Sequence, residues 1–150
     1  MFCFGITVLE NFFLIYGDVV PTQSDIQRIF RIFNTYKLEY YGNRIGVMAV
    51  RTVDDPQRYG VVEKDDSNNI LRIVEKSPNP PTNLINAGIY ILPIDIFTHI
   101  KNTQLSERGE YELTESIQKL IDSDVNVKVC EVTGLKDIGT KQIYESMACK

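Results

Sequence analysis

Two aspartates stand out by their placement. Asp18 closes the run Phe12-Phe13-Leu14-Ile15-Tyr16-Gly17, and Asp137 follows the apolar stretch 125–132 and opens Asp137-Ile138-Gly139-Thr140. In α/β sheets ligands collect at the carboxyl ends of strands. Mg²⁺ takes carboxylate oxygens and keeps waters and substrate phosphates as its other ligands. Two carboxylates at separate strand ends could therefore form half of a site for metal-assisted phosphoryl chemistry, although aspartate after a strand also serves as a plain turn or N-cap residue. Glu75-Lys76 offers an ammonium to a phosphate and a carboxylate to hydroxyl donors. With Glu63-Lys64 on the facing arm, the same residues could equally form solvated cross-strand charge pairs. Tyr59-Gly60 and Asn86-Ala87-Gly88 read by themselves as a turn and a tight strand crossing.

Other chemistries are thinly supplied. The 150 residues contain one histidine, His99, in a segment that reads as a helix surface. Cys3, Cys130 and Cys149 are odd in number and far apart, which excludes a disulfide framework and disfavours a zinc site. Isolated thiols without a secretory leader point to a reducing, cytoplasmic setting. Gly134-Leu135-Lys136-Asp137-Ile138-Gly139-Thr140-Lys141 has glycines and a lysine, but the lysine follows the threonine, so it is not a phosphate-binding P-loop. A formal net charge of -4, from 16 basic and 20 acidic residues, lacks the basic face that nucleic acid requires. No apolar run reaches the ~20 residues that span a bilayer.

The elements that must position these residues follow from periodicity. Residues 12–16, 46–52, 84–92 and 125–132 read as strands, the last alternating as if one face were wet, and 1–9 as a further strand. Ile26, Ile29, Phe30 and Phe33 recur at helical spacing, with Ser24 or Asp25 as cap. Residues 59–64 and 70–76 flank Asp65-Asp66-Ser67-Asn68-Asn69 as a hairpin. Residues 94–100 and 111–121 read as helices, Thr114 capping the second, and a terminal helix holds Ile143, Tyr144 and Met147. Strands alternating with helices predict a single α/β domain over 1–150, with a mixed, mostly parallel sheet flanked by helices.

Taken together, six segments in order resemble the sugar-phosphate nucleotidyltransferases, glucose-1-phosphate thymidylyltransferases among them. Leu14-Ile15-Tyr16-Gly17-Asp18 is similar to the strand carrying that family's metal aspartate. Asp55-Pro56-Gln57-Arg58-Tyr59-Gly60-Val61-Val62 is similar to its D-P-x-R-Y-G-V-V, and Val74-Glu75-Lys76 to its E-K-P. Asn86-Ala87-Gly88-Ile89-Tyr90 matches N-A-G-I-Y. Gly109-Glu110-Tyr111-Glu112-Leu113-Thr114-Glu115 resembles G-E-Y-x-L-T-D, and Asp137-Ile138-Gly139-Thr140 resembles D-x-G-T. The resemblance implies a Rossmann-like nucleotide-diphospho-sugar transferase fold and a reaction joining a nucleoside triphosphate to a sugar 1-phosphate, releasing pyrophosphate. It implies Mg²⁺ on Asp18 and Asp137, and the sugar phosphate on Lys76. It implies sugar contacts from Tyr59, Gly60, Glu75, Asn86, Ala87 and Gly88.

The pattern departs in one large way. The family's glycine-rich G-x-G-T-R loop is not found, and about a dozen residues with one glycine, Gly5, precede Phe12. Smaller departures are Leu135-Lys136 before Asp137 and Lys141 after Thr140. The expectation is an N-terminally truncated family member that keeps the sugar half-site and lacks the nucleotide half. The alternatives are a non-catalytic sugar-phosphate-binding or regulatory subunit, and an inactive fragment of a decayed gene. The expected partners are a sugar 1-phosphate and a nucleoside triphosphate, with no nucleic acid and no membrane. A bare edge on the 12–16 strand would be covered by residues 1–9 or by a homodimer.

Overall fold

The structure, a computed structural model, describes residues 10–39 and 44–138. The strand expected over 1–9 and the terminal helix around Ile143 lie outside the described residues. Among the described residues, eight strands and three helices follow in chain order: β1 (Asn11–Ile15), β2 (Val19–Val20), α1 (Gln23–Glu39), β3 (Ile45–Thr52), β4 (Gly60–Lys64), β5 (Ile70–Glu75), β6 (Leu84–Pro93), α2 (Ile96–Lys101), α3 (Leu113–Asp122), β7 (Asn126–Glu131) and β8 (Lys136–Asp137). A single 3₁₀ turn, Pro56–Arg58, stands where Asp54-Asp55-Pro56 predicts a turn.

Among the described residues, the main sheet has six strands in the order β5-β4-β6-β3-β7, with β1 also on β6. It is mixed and flanked by helices, as expected, but it is not mostly parallel. Only β3 and β7 pair in parallel, while β6 runs antiparallel to β1, β3 and β4. The reason lies in the connections. Parallel neighbours need a long crossover. One exists between β3 and β7, which have α2 and α3 between them, but β3 reaches β6 through the β4–β5 hairpin with no α-helix. Strands β1 and β3 do point the same way, with α1 between them, yet β6 inserts between the two and turns both contacts antiparallel.

Strand β3 is buried on both faces, and its alternate residues feed two cores. Ile45, Val47 and Ala49 pack with Ile29 and Phe33 of α1. Met48 and Val50 pack with Ile117 and Leu120 of α3. The expected α3 stripe is borne out, with Leu113 and Ile121 packed against that core. On α1, Ile29 and Phe33 are buried, but Phe30 is 41% exposed and stacks on Phe13 at 5.5 Å between ring centroids. The wet face expected for β7 is covered instead. Lys128 is 2% exposed; its ammonium lies 4.2 Å from the Tyr36 ring centroid and donates to the Ser67 carbonyl at 3.1 Å. A long amine can bury its stem and still satisfy its charge in this way.

Two expected caps are corrected. The start of α1 is capped by Thr22, not by Ser24 or Asp25. The Asp25 N–H donates to Thr22 Oγ1 at 3.2 Å, and the Thr22 N–H and hydroxyl donate back to Asp25 Oδ2 at 3.2 and 2.7 Å. This is a reciprocal capping box built with aspartate. Thr114 does not cap α3; Glu112 holds that position, and Thr114 sits inside the first turn.

Asp25 also ties α1 to the loop after β7, because the Thr133 N–H donates to its Oδ1 at 3.3 Å. Burial opposes its charge. The Thr22 side chain and the backbone groups of Thr22, Thr133 and Gly134 outweigh that and hold the carboxyl below its ordinary value. A carboxyl whose pKa is depressed on folding stabilises fully above its unfolded value of about 3.9 and less as pH falls through the folded one. Asp25→Ala is expected to cost about 1–3 kcal/mol at pH 7. Urea unfolding should show that gap narrowing as pH is lowered below about 4; a gap constant down to pH 2.5 would contradict it.

Candidate functional site

Two strands share one edge of β6. β1 pairs along Ile89–Pro93, and β4 meets the same edge at Ile85. Between them Asn86, Ala87 and Gly88 have no strand partner on that side. The opposite edge is irregular at the same place: Met48 pairs with Tyr90 but Val50 with Asn86, so β6 spends two extra residues there. Gly88 takes a positive φ of 73°, and its carbonyl accepts the Tyr16 N–H at 2.9 Å. A Cβ on Gly88 would stand 2.8 Å from Tyr16 Cδ2, so both conformation and space demand glycine.

The gap opens into a cavity of about 280 Å³. Its lining includes Asp18, Tyr59, Gly60, Glu75, Lys76, Asn86, Ala87 and Gly88. The structure thus brings together every expected site residue apart from Asp137. The Asp137 backbone is nevertheless adjacent: β2 and β8 pair Val19 with Asp137, and the Ile138 N–H donates to the Asp18 carbonyl at 2.7 Å. Sequence reasoning missed Tyr16, Arg51, Arg58, Glu112, Thr114 and Leu135, which also line the cavity. All but Arg51 and Leu135 lie inside the motif segments, so position was available and role was not. Arg51 gives no local signal, being one arginine at the end of an otherwise apolar strand.

Glu75 and Lys76 are held differently. Glu75 ends β5 opposite Gly60, and Thr114 donates to its Oε2 at 2.9 Å. A Cβ on Gly60 would lie 2.6 Å from that oxygen, so a side chain there would push the Glu75 carboxylate from its place. Lys76 leaves the strand with a φ of 44°, unusual for a residue with a side chain, and its N–H donates to the Tyr59 carbonyl at 3.0 Å. Such backbone strain aims a side chain that regular pleating would not. Its ammonium stands 3.7 Å from Glu110, which also faces Arg108, and Arg108 in turn bonds Glu112.

Tyr16 and Asn86 line the cavity's inner wall, and the fully buried Tyr90 lies behind them. Asn86 Nδ2 donates to Tyr90 Oη at 2.6 Å, and Tyr90 donates to Tyr16 Oη at 3.1 Å. Burial raises the pKa of both phenols, that of Tyr90 well above the ordinary value. Both therefore stay protonated at neutral pH and keep a hydrogen to donate.

For a divalent cation, Asp18 is exposed at the cavity wall and the Asp137 backbone runs beside it in β8. Mg²⁺ often binds through one or two carboxylates plus waters and substrate phosphate, a chemistry that the residue types at these two positions fit. Among the described residues there is no group of three or more His, Cys, Asp or Glu that would hold a metal without substrate. No described helix is long and apolar enough to cross a membrane.

A mixed α/β sheet with a charged, polar cavity at a break between strand ends defines a small-ligand protein of the α/β class. Residues 6–150 match the nucleotidyl transferase family, and the chain belongs to it. It is 40% identical over 131 residues to the bifunctional protein GlmU of Methanocaldococcus jannaschii, covering 87% of this chain and 29% of that protein. Over 88 residues it is 51% identical to a bifunctional sugar-1-phosphate nucleotidylyltransferase/acetyltransferase of Sulfurisphaera tokodaii, covering 58% of this chain and 22% of the relative. Among solved structures it resembles a UTP-bound UGPase from Acinetobacter baumannii, with a TM-score of 0.73 and 26% identity over 93% of this chain and 50% of the other. A UDP-glucose pyrophosphorylase bound to UDP-glucose shares the fold, with a TM-score of 0.76 at 21% identity.

Gly88→Ala combines a disfavoured φ with a clash and is expected to cost at least about 1–2 kcal/mol. Gly17→Ala meets nothing within 4 Å and should stay within about 0.5 kcal/mol of wild type. Equal urea midpoints for the two variants would refute the requirement at Gly88.

Proposed function

We propose that this chain carries the sugar-1-phosphate side of a nucleotidyl transfer site. The observation that carries the reading is the single cavity at the β1–β4 break, lined by eight of the nine residues expected to hold substrate or metal. Lys76 supplies the cation for the phosphate. Glu75 accepts from sugar hydroxyls, while Gly60 and the Asn86–Gly88 backbone approach the ring closely because neither glycine carries a Cβ. Asp18 and Asp137 would hold Mg²⁺, which when bound neutralises charge on the phosphates. In the complete reaction a sugar-phosphate oxygen attacks the α-phosphorus of the triphosphate in line, and pyrophosphate leaves. Catalysis of that step is alignment and charge neutralisation, so the role of these side chains is to fix the attacking phosphate. The G-x-G-T-R loop that would serve the nucleotide is not found in these 150 residues, and one preorganised donor alone is worth about 10²–10³ in rate.

Calorimetry with sugar 1-phosphates and with triphosphate plus Mg²⁺ tests this. The sugar 1-phosphate should bind, Lys76→Ala should weaken it by about 10- to 100-fold, and triphosphate should bind poorly. Tight triphosphate binding, or sugar-phosphate binding indifferent to Lys76, would refute the reading. A pyrophosphate-release assay over a panel of nucleotides should show little turnover by this chain alone.

We also propose self-association through β1. Among the described residues β1 pairs only with β6, and Phe13 and Ile15 on it are 38% and 37% exposed. Open edges invite strand addition. Sedimentation at tens of micromolar is expected to give the mass of two copies; a monomer would exclude it.

A further inference from the structure

Strand β5 ends the main sheet, and among the described residues no strand lies beyond it. Such an edge presents a row of backbone N–H and C=O groups without a ladder. Two of them, on alternate residues of β5, meet one side chain of α3. The Ile73 N–H donates to Gln118 Oε1 at 2.9 Å, and Gln118 Nε2 donates to the Leu71 carbonyl at 3.4 Å. In a parallel ladder one residue likewise bonds an N–H and a C=O two residues apart on its neighbour. A primary amide carries the same donor and acceptor as a peptide group, and Gln118 offers them from a helix. Chemistry sets the amide's orientation. The Ile73 N–H can only donate, so the oxygen faces it. That leaves Nε2 one proton for Leu71 and one for Asp122, whose Oδ1 lies at 3.0 Å.

Thr114 lies one turn earlier on α3 and donates to Glu75 Oε2 at 2.9 Å. Four helical residues advance about 6 Å and two strand residues about 6.6 Å. Thr114 and Gln118 therefore meet Glu75 and Ile73 in step, with α3 running antiparallel to β5. We infer that Gln118 is a positioning residue: with Thr114 it makes α3 a surrogate strand on β5, fixing the register of the strand that ends in Glu75. Gln118 does not line the cavity, so it acts on a ligand only through β5. This rests on the sugar-phosphate reading of the cavity. Glu75 is the group that a loosened β5 would misplace. It sits at the strand's last position opposite Gly60, which has no side chain to steady it, so the register of β5 and the bond from Thr114 must do so. An apolar side chain in place of Gln118 could pack, but it would leave the Ile73 N–H without this acceptor.

Two measurements test the inference separately. The first uses no ligand: amide hydrogen exchange is followed by NMR on the full 150-residue chain. In wild type the outward Ile73 amide should be protected like those of Arg72 and Val74, which alternate with it and face β4. Exchange at the rate of a free edge overturns the surrogate strand without any variant. Gln118→Met keeps the length and loses both bonds, so Ile73 should exchange about 3- to 10-fold faster, beyond any change shared by the β3 amides. Gln118→Glu keeps the acceptor and should hold Ile73 near wild type. A change at Ile73 no larger than that in β3 overturns the role. The second is calorimetry with millimolar α-D-glucose 1-phosphate and its galacto and manno epimers. Gln118→Met should weaken binding about 3- to 10-fold, but by less than about 1.5-fold when Glu75 is already glutamine, since the two act as a unit. Unchanged binding, or equal losses in both backgrounds as general loosening would give, overturns the positioning role. If wild type binds none of the three sugar 1-phosphates, the site reading fails and the positioning of Glu75 for a sugar fails with it, while exchange at Ile73 still decides the surrogate strand.

Discussion

Strand β6 makes pairings on both edges with three neighbours, β1, β3 and β4. Because β1 and β4 share one edge, neither can run its full length, and the sheet must open where one stops before the other begins. The two extra residues on β6 between its Asn86 and Tyr90 pairings absorb the mismatch, and Gly88 is the residue whose backbone can do so. Everything the cavity offers follows from that break. Tyr16 and Asp18 come off the end of β1, and Gly60 comes from the start of β4. Glu75 comes from the strand paired with β4, and Asn86 from the bulge itself. A bulge beside a functional site re-aims side chains that regular pairing would send to the two faces.

The side chains around this break are fixed by short contacts to regular elements. Thr114, in the first turn of α3, holds Glu75. The same helix buries Ile117 and Leu120 against β3 and β7, so the core that stabilises the sheet also fixes the carboxylate. On the other face, Asp25 joins the start of α1 to the loop leading to β8, and β8 is what sets Asp137 beside Asp18. Packing and site geometry are therefore one problem here. A change that loosens α1 or α3 moves a wall of the cavity, even where it touches no cavity residue.

The element types were legible from period and turn chemistry. The hairpin around Asp65–Asn69, the buried run at β3 and the α3 stripe all follow from patterns within ten or twenty residues. Relations between distant segments were not legible. Nothing local in Leu84–Pro93 says that it lies between β1 and β3, and that single insertion turned an expected mostly parallel sheet into a largely antiparallel one. Lys128 reads as a wet position because it is charged, yet Tyr36, from α1, and the Ser67 carbonyl give it a dry place. For the cavity, the motif segments marked where to look. Tyr90 falls inside the Asn86–Tyr90 motif, but that segment alone does not say that its hydroxyl meets Tyr16, which reaches it only through the fold.

The cations at the cavity show how such a site can be ready without being rigid. Lys76 has its backbone held by the bond to Tyr59, and among the described residues its ammonium pairs with an exposed carboxylate, Glu110, at 3.7 Å. An exposed ion pair is worth only about 0–1 kcal/mol, so it orients the lysine without competing seriously with a ligand. A phosphate carries more charge than a carboxylate and can take charge-assisted bonds on several oxygens. Entering the cavity, it would displace Glu110 at little cost while the lysine backbone stayed in place. The inner wall behaves in the opposite manner. Asn86, Tyr90 and Tyr16 are bonded to one another and Tyr90 is fully buried, so these bonds are in place before a ligand enters. On the proposed reading, the yielding charged side would capture the anion, and the bonded polar side would select shape and hydrogen-bond direction.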